Sequence, residues 1–485
     1  MDVLTGLINF LVQEVFSKPA YLVGLMTAVG LIALGKKPGE IVGGTLKATL
    51  GFLILIVGAV AVINALDPLG KLILGVTNAQ GVVPTNEAIV ALAQSQYGGV
   101  TAWVMFLGFF TSLVIARLTP LRYVFLTGHH IFYMATMLAV ILVTVQMSDI
   151  ATVIVGAILL GTIMVVMPAF AHPWMRRVTG GEAVAMGHFG SFGYIAGGAV
   201  GQLFKGSKST EEMKFPEQLR FLREPMVATA VSMAIIYLLF ALAYLVVKGE
   251  AAALEAFAPA NPTWGSFLMA EFLNALNFGV GVAVILVGVR TILGEIVPAF
   301  AGISEKIIPG ALPALDVPIV FPYAPNAVIV GFLASVVGGL VSLAVIGLAF
   351  QNAPLALALI LPGMVPHFFT GGGAGVFGNA TGGRAGAVAG GFVNGVLITF
   401  LPAFLLKVLG NLGFANTTFG DADFGWYGIV VGNVAGWVKG NEPVLIVAML
   451  VVAGALIAIA SWWQKRFVDS GWVPGGEAAG REAAA

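Results

Sequence analysis

Cysteine is absent from all 485 residues. That excludes disulfides, thiolate metal ligands and cysteine nucleophiles from this chain. Charge is nearly as scarce: 23 Lys and Arg and 23 Asp and Glu make up 9% of the residues, and the formal net charge is zero. A soluble domain carries about 25% charged residues, so this chain has too few to cover a water-facing surface of its size. Zero net charge removes the basic footprint of a nucleic-acid-binding protein, and no nucleic-acid partner is expected. No GxxxxGK[ST] loop occurs, which excludes ATP hydrolysis by that route. The five histidines lack the i, i+4 spacing of zinc-binding helices, so neither a metal nor another cofactor is expected.

What the chain has is apolar length. Hydrophobic residues make up 59% of it, with 64 Gly and 33 Phe. The runs Tyr21–Leu34, Leu46–Leu66, Phe125–Met147, Ile150–Met167 and Pro443–Trp463 each match, or nearly match, a hydrocarbon core of about 30 Å at about 1.5 Å per helical residue. Lipid offers the backbone no hydrogen-bond partner, so these runs are helices. The expected fold is an all-α integral membrane protein of about eleven transmembrane helices with re-entrant or broken segments, arranged as an inverted-repeat transporter. Residues 1–468 read as a single polytopic domain and 469–485 as a disordered cytoplasmic tail, rich in Gly, Ala and Glu. Met1 to Val15 lacks a basic n-region and contains Asp2 and Glu14. It reads as an amphipathic interfacial helix rather than a cleavable signal.

Cations favour cytoplasmic loops near span ends. Lys36 and Lys37, Arg117 and Arg122, Arg176 and Arg177, Arg290, and Lys465 and Arg466 thread consistently as cytoplasmic. That threading puts the N-terminus outside, a polar segment Asp67–Gly99 outside, a charged loop 205–224 inside and the C-terminus inside. Later spans are expected near 226–247, 264–289, 326–350, 354–377 and 385–406.

Four stretches are apolar yet interrupted by Gly or Pro: 126–130 (LTGHH), 183–198, 308–328 and 361–383. Broken backbone at membrane depth survives where it is buried in protein or lines a wet cavity, and paired breaks in two halves of a chain point to a transporter site. Residues 183–198 and 361–383 each set a His ahead of a Gly/Phe run, which pairs them as the trace of an inverted repeat.

Polar residues inside these segments are functional candidates. His129 and His130 are adjacent, and successive helical residues point about 100° apart, so one of the two is expected to face a shared cavity. His188 lies in the second broken stretch and Asp316 in the third, between Pro313 and Pro318. Imidazoles donate to hydroxyls or anions and Asp accepts from hydroxyls, which suits a hydroxylated, enediol-like or weakly acidic small molecule. Either group type can also take a hydroxyl proton during attack on a phosphoryl donor. His172, beside Pro173 and Trp174, reads as interfacial, and His367 as structural. Glu271, Asn274 and Asn277 form a polar seam at helical spacing, and Glu295 and Glu305 read as solvated.

The motifs LTGHHIF (126–132), GHFGSF (187–192), GISEKIIPGALPALDVPIVFPYAPNAVIVGF (302–332) and PGMVPHFFTGGGAGVFGN (362–379) carry a resemblance over nearly the whole chain. It resembles the ascorbate-type membrane permease, enzyme IIC, of the bacterial phosphoenolpyruvate-dependent sugar phosphotransferase system. The resemblance implies a homodimer in the bacterial inner membrane, in contact with lipid, each protomer split into a scaffold and a substrate-carrying core. It implies import of L-ascorbate or a related sugar acid, phosphorylated by a phosphocysteine on a separate cytoplasmic IIB subunit that a IIA component charges. The phosphoryl donor residue is therefore outside this chain, and no catalytic residue is assigned within it. By resemblance, His129, His188 and Asp316 contact substrate, joined by Thr85 and Asn86 and by His130, Ile131, Phe132, Tyr133 and Phe189. Departures fall at Phe189 and Tyr133, where the family pattern has Gln, and at Asn86, where it has an aromatic residue. They keep the transport class and widen the substrate to a related sugar acid or polyol. The alternatives are an ion-coupled secondary transporter with Asp316 as the ion or proton site, and a lipid-modifying membrane enzyme, which lacks its DDxxD-type clusters here.

Overall fold

A computed structural model describes residues 18–181, 183–213, 225–259, 261–350 and 356–476. The expected interfacial helix before residue 18, most of the loop to 224 and the last nine residues lie outside these. Chain order runs α1 (Pro19–Ala33), α2 (Pro38–Thr77), β1 (Gly81–Pro84), α3 (Asn86–Leu118), β2 (Tyr123–Phe125), α4 (Gly128–Thr144), α5 (Asp149–Thr179), β3 (Ala185–Met186) and α6 (Ser191–Gly201). The second half runs α7 (Pro225–Lys248), α8 (Glu250–Phe257), α9 (Trp264–Ile307), β4 (Leu312–Leu315), α10 (Pro325–Val345), β5 (Leu359–Ile360), α11 (Gly372–Leu405), β6 (Thr417–Thr418), α12 (Ala422–Trp437) and α13 (Glu442–Trp463).

The protein is an all-α multi-pass membrane protein. Among the described residues, eight helices are long and apolar enough to cross a membrane, and α1 and α4 are shorter apolar helices. Among the described residues the apolar helices do not divide into eleven simple spans. Asp67 and Pro68 lie inside the 40-residue α2, and α3 begins at Asn86, so Asp67–Gly99 is not one polar loop but the end of α2, β1 and the start of α3. The span expected at 354–377 is instead β5, a loop and a wide π turn over His367–Gly371 leading into α11. Pro362 and Pro366 each lack a backbone donor, which disfavours a continuous helix there. Of the tail expected from Asp469, the described residues include Trp472, which packs edge-on to Trp463 and Trp174.

Six short strands form two parallel three-stranded sheets, ordered β5–β1–β6 and β2–β4–β3. Val82 pairs with Ile360 and Val83 with Thr417; Phe125 pairs with Ala314 and Met186 with Leu315. Each middle strand comes from one half of the chain and both its neighbours from the other. A strand–helix–strand–two-helix–strand–helix order therefore recurs: β1 to α6 has α4 and α5 between its second and third strands, and β4 to α12 has there α11, broken at Gly382 and Gly383. In this repeat β3–α6 corresponds to β6–α12, and the segment after β2 corresponds to the segment after β5. A repeat of element order is present, but it does not pair 183–198 with 361–383, the pairing expected from sequence. Abundant Gly made two non-equivalent segments look alike.

Helices approach closely where glycines meet. A Cβ on Gly331 of α10 would strike the carbonyl oxygen of Gly371 and come within 2.6 Å of the Gly375 Cα in α11. These are backbone atoms, so they cannot swing aside. Gly331→Ala is expected to destabilise the protein by about 1–3 kcal/mol, read as a lower unfolding midpoint in detergent. An unchanged midpoint would mean the two helices separate freely. α11 breaks at Gly382 and Gly383, where φ of +58° at Gly383 is a left-handed conformation suited to glycine.

Candidate functional site

Every strand delivers the chain to one place. A cavity of about 820 Å³ is lined at the carboxyl ends of all six strands: Asn86 and Glu87 after β1, Leu126–His130 after β2, His188 after β3, Asp316 after β4, Val365 and Pro366 after β5, and Asp421 after β6. Strand ends and helix starts make such crevices natural ligand sites, because helix N-termini leave backbone N–H groups unpaired and carry partial positive charge. The opposite wall is apolar and comes from α7 and α9, including Val282, Leu286, Val289 and Leu293, with Arg290 among them. At the seam Gly128 lies against α9, where a Cβ would sit 2.6 Å from Val297 Cγ2.

Asp316 is the centre of the polar side. It starts the turn Val317–Tyr323, and its Oδ1 accepts the Val317 N–H at 2.8 Å. Its two oxygens stand 3.6 Å from His129 Nε2 and 3.8 Å from His188 Nε2. Both gaps exceed a hydrogen bond, so neither imidazole satisfies the carboxylate directly. His188 is buried, and its Nδ1 faces the Gly190 N–H at 3.0 Å and the Tyr194 hydroxyl at 2.8 Å. An Nδ1 that accepts a backbone N–H places the neutral ring's proton on Nε2. His188 thus presents an N–H donor toward Asp316.

His130 is built the same way. Its Nδ1 accepts the Phe189 N–H at 3.3 Å, and its Nε2 stands 3.9 Å from Asp421 Oδ2. The rings of His130 and His188 are 3.9 Å apart, and those of His129 and His130 4.7 Å. Both adjacent histidines line the cavity, against the expectation that only one would. They occupy the first turn of α4, and the cavity wraps around that helix start.

His129–His130–Asp316 and His130–His188–Asp421 have ligand atoms mutually within 4.8 Å, the spacing a metal ion would need. The donor set does not fit one. His130 and His188 carry their protons on the cavity-facing Nε2, whereas a metal needs that nitrogen free.

The other residues expected at the site divide. Asn86 and Tyr133 line the cavity; Thr85, Ile131, Phe132 and Phe189 are buried outside the lining. The Asn86 amide is already used: Nδ2 donates to Asp421 Oδ2 at 2.8 Å and Oδ1 accepts the Gly420 N–H at 2.7 Å. Phe189 packs between Phe125, His130 and Phe424, so it braces His130 with its ring and its backbone. His172 is buried against Tyr123 rather than interfacial. His367 bonds to Ser335 Oγ at 2.7 Å away from the cavity, which agrees with a structural role. Glu271 accepts from Asn274 at 3.3 Å, and Glu295 is not simply solvated but pairs with Lys47 at 2.9 Å.

Four charged residues were not anticipated at the site. Glu87, Asp421 and Arg290 line the cavity, and Asp423 stands behind it. Asp423 Oδ2 accepts the Ser191 N–H at 2.9 Å, Oδ1 accepts Phe192 N–H at 3.0 Å and Trp426 Nε1–H at 2.9 Å. It thereby neutralises the start of α6 and holds the loop bearing His188. The signal was available: two Asp within FGDADFGW and a Glu in an otherwise apolar PTNEAIV are intramembrane acids of the kind that marks a site.

Residues 14–423 match the family model EIIC-GAT, described as the PTS system sugar-specific permease component. The chain is similar to a protein of Mycoplasma pneumoniae named "Ascorbate-specific PTS system EIIC component", with 26% identity over 444 residues. That match covers 83% of this chain and 66% of the relative, so the chain spans just under two thirds of the relative's length. A match across most of the chain, on a polytopic helical fold whose broken segments meet at one cavity, places the protein in the family of sugar-specific permease components of the phosphotransferase system.

Proposed function

We propose that this protein is the substrate-binding and translocating permease of a phosphotransferase system, importing L-ascorbate or a related sugar acid that a phosphocysteine on a separate IIB subunit phosphorylates. The observation that carries the reading is Asp316 set between the Nε2 atoms of His129 and His188 in a cavity between two groups of helices. The His188 N–H donor, a second imidazole nitrogen on His129 and the Asp316 acceptor between them suit an enediol or vicinal diol that both gives and receives hydrogen bonds. With the His188 proton on Nε2, Asp316 is the acceptor available for a substrate hydroxyl proton. The hydroxyl oxygen would then bond to phosphorus as the sulfur–phosphorus bond breaks and the thiolate leaves on IIB. The name of the Mycoplasma relative supports ascorbate as the first substrate to try.

On this reading the protein works as a homodimer in the bacterial inner membrane. α2 and α9 belong to the scaffold, the strand-exit helices form the moving core, the N-terminus is outside, and the C-terminus and the 205–224 loop face the cytoplasmic IIB and IIA components. Uptake of radiolabelled L-ascorbate, with and without the IIB cysteine, tests it. Internal phosphorylated product that disappears with the cysteine is the expected result. Free internal ascorbate that follows a proton or sodium gradient would replace this reading with ion-coupled transport through Asp316.

A further inference from the structure

Three buried polar atoms at the cavity wall have no hydrogen-bond partner among the described residues: Glu87 Oε2, Tyr133 Oη and Thr127 Oγ1. The residues are 7%, 1% and 5% exposed, and all three line the cavity. Native proteins pair nearly all such groups, because an unpaired buried acceptor or donor forfeits its hydration. A carboxylate oxygen forfeits most. Three such atoms on residues that line one cavity mark a place where something other than the protein supplies the partners.

The three atoms are complementary. The Glu87 carboxylate only accepts; the Tyr133 and Thr127 hydroxyls both donate and accept. A ligand hydroxyl needs an acceptor for its proton and a donor for its oxygen, and finds both here. The wall also selects on charge. Glu87 and Asp421 are the acids on it, Asp421 being held by Asn86 and facing His130. Arg290, the one lysine or arginine among the described lining residues, stands on α9. A carboxylate or enolate on the ligand is repelled from Glu87 and drawn toward Arg290 and the helix starts.

We infer that Glu87, Tyr133 and Thr127 form a second polar subsite that takes an uncharged, hydroxyl-bearing end of the substrate, while His129, His188 and Asp316 take its other end. This orients the substrate and makes Glu87 the residue that discriminates a terminal hydroxyl from its absence. The inference rests on the proposed reading that a polyhydroxylated small molecule enters this cavity. It does not require that molecule to be ascorbate.

The test is binding to the purified full chain in detergent, by calorimetry, with four ligands. These are L-ascorbate, its 6-deoxy analogue, an uncharged hexitol and the same hexitol lacking one terminal hydroxyl. Wild type is expected to bind each hydroxylated ligand at least about tenfold tighter than its deoxy partner, since a site built around a hydroxyl rejects the analogue that leaves its groups unpaired. Glu87→Ala should erase that ratio and leave the deoxy ligands' affinity unchanged. Glu87→Gln, which keeps an acceptor and the volume, should restore part of it and serves as the folding control. Equal weakening of both members of a pair, or no change, overturns the subsite, as does failure of all four ligands to bind. Hexitol binding with a Glu87-dependent ratio, and no ascorbate binding, supports the subsite and removes ascorbate from the proposed function.

Discussion

Asp316→Asn is expected to abolish uptake, with substrate affinity falling by about 100-fold or more. Asp316 faces two imidazole nitrogens at once, His129 Nε2 at 3.6 Å and the His188 Nε2–H at 3.8 Å, and among the described residues no other acid stands that close to His129 or His188. Hydrogen bonds to a charged acceptor contribute about 1.5–3 kcal/mol each, and a bound diol would bridge two of them. Asn keeps the volume and one acceptor but turns the other position into an N–H, which meets the imidazole donor head-on. The change is local, since the Val317 N–H can still be accepted by the remaining oxygen. Equilibrium binding on purified protein, beside uptake in cells, separates the outcomes. Lost uptake with intact affinity would move Asp316 from binding to the transfer or translocation step. Near-normal uptake would make it peripheral and remove the centre of the proposed site.

Asp423→Ala is expected to have the largest effect on stability and a second effect on binding at a distance. Its two oxygens take the Ser191 N–H, which is buried, and the Phe192 N–H and Trp426 indole N–H, which are part-buried. Truncation leaves three buried or part-buried donors unpaired and uncovers the positive start of α6. Each unpaired group costs about 1–3 kcal/mol, so a loss of about 3–5 kcal/mol is expected, seen as a steep fall in unfolding midpoint. His188 lies three residues before Ser191, whose hydroxyl donates to the His188 carbonyl at 2.6 Å. Releasing α6 therefore loosens the imidazole, and affinity should fall even where the variant remains folded. Asp423→Asn, with one acceptor left, should lie between the two. An Asp423→Ala protein with wild-type stability would show that the α6 start finds other partners, and the clamp would lose its role.

The parts of the site legible in the sequence were those whose signal is local. His188 beside Gly187 and Asp316 between two prolines announce themselves, because a polar residue in broken apolar backbone needs a reason to be there. The role of His130 was not legible. The angle between adjacent helical residues argued that one histidine would turn away, but a cavity wrapped around a helix start receives both. Asp421 and Asp423 were passed over because their partners are remote in the chain. Asn86 meets Asp421 across 335 residues, and Ser191 meets Asp423 across 232. Phe189 looked like a lost side-chain contact. It acts through its backbone N–H, which no residue-type pattern encodes.

The amino-acid sequence by itself determined that the chain is helical and membrane-embedded, because 9% charge and long apolar runs leave no other way to satisfy the backbone in lipid. It also determined where the helices break, since Gly and Pro act on their own residues. Only the tertiary structure decided how many spans result, which breaks are equivalent and which polar residues share the cavity. Those depend on strands two or three hundred residues apart pairing in two exchanged sheets, as Val83 does with Thr417 and Phe125 with Ala314. Pairing of that kind is specified by packing across the whole fold, and local composition carries almost none of it.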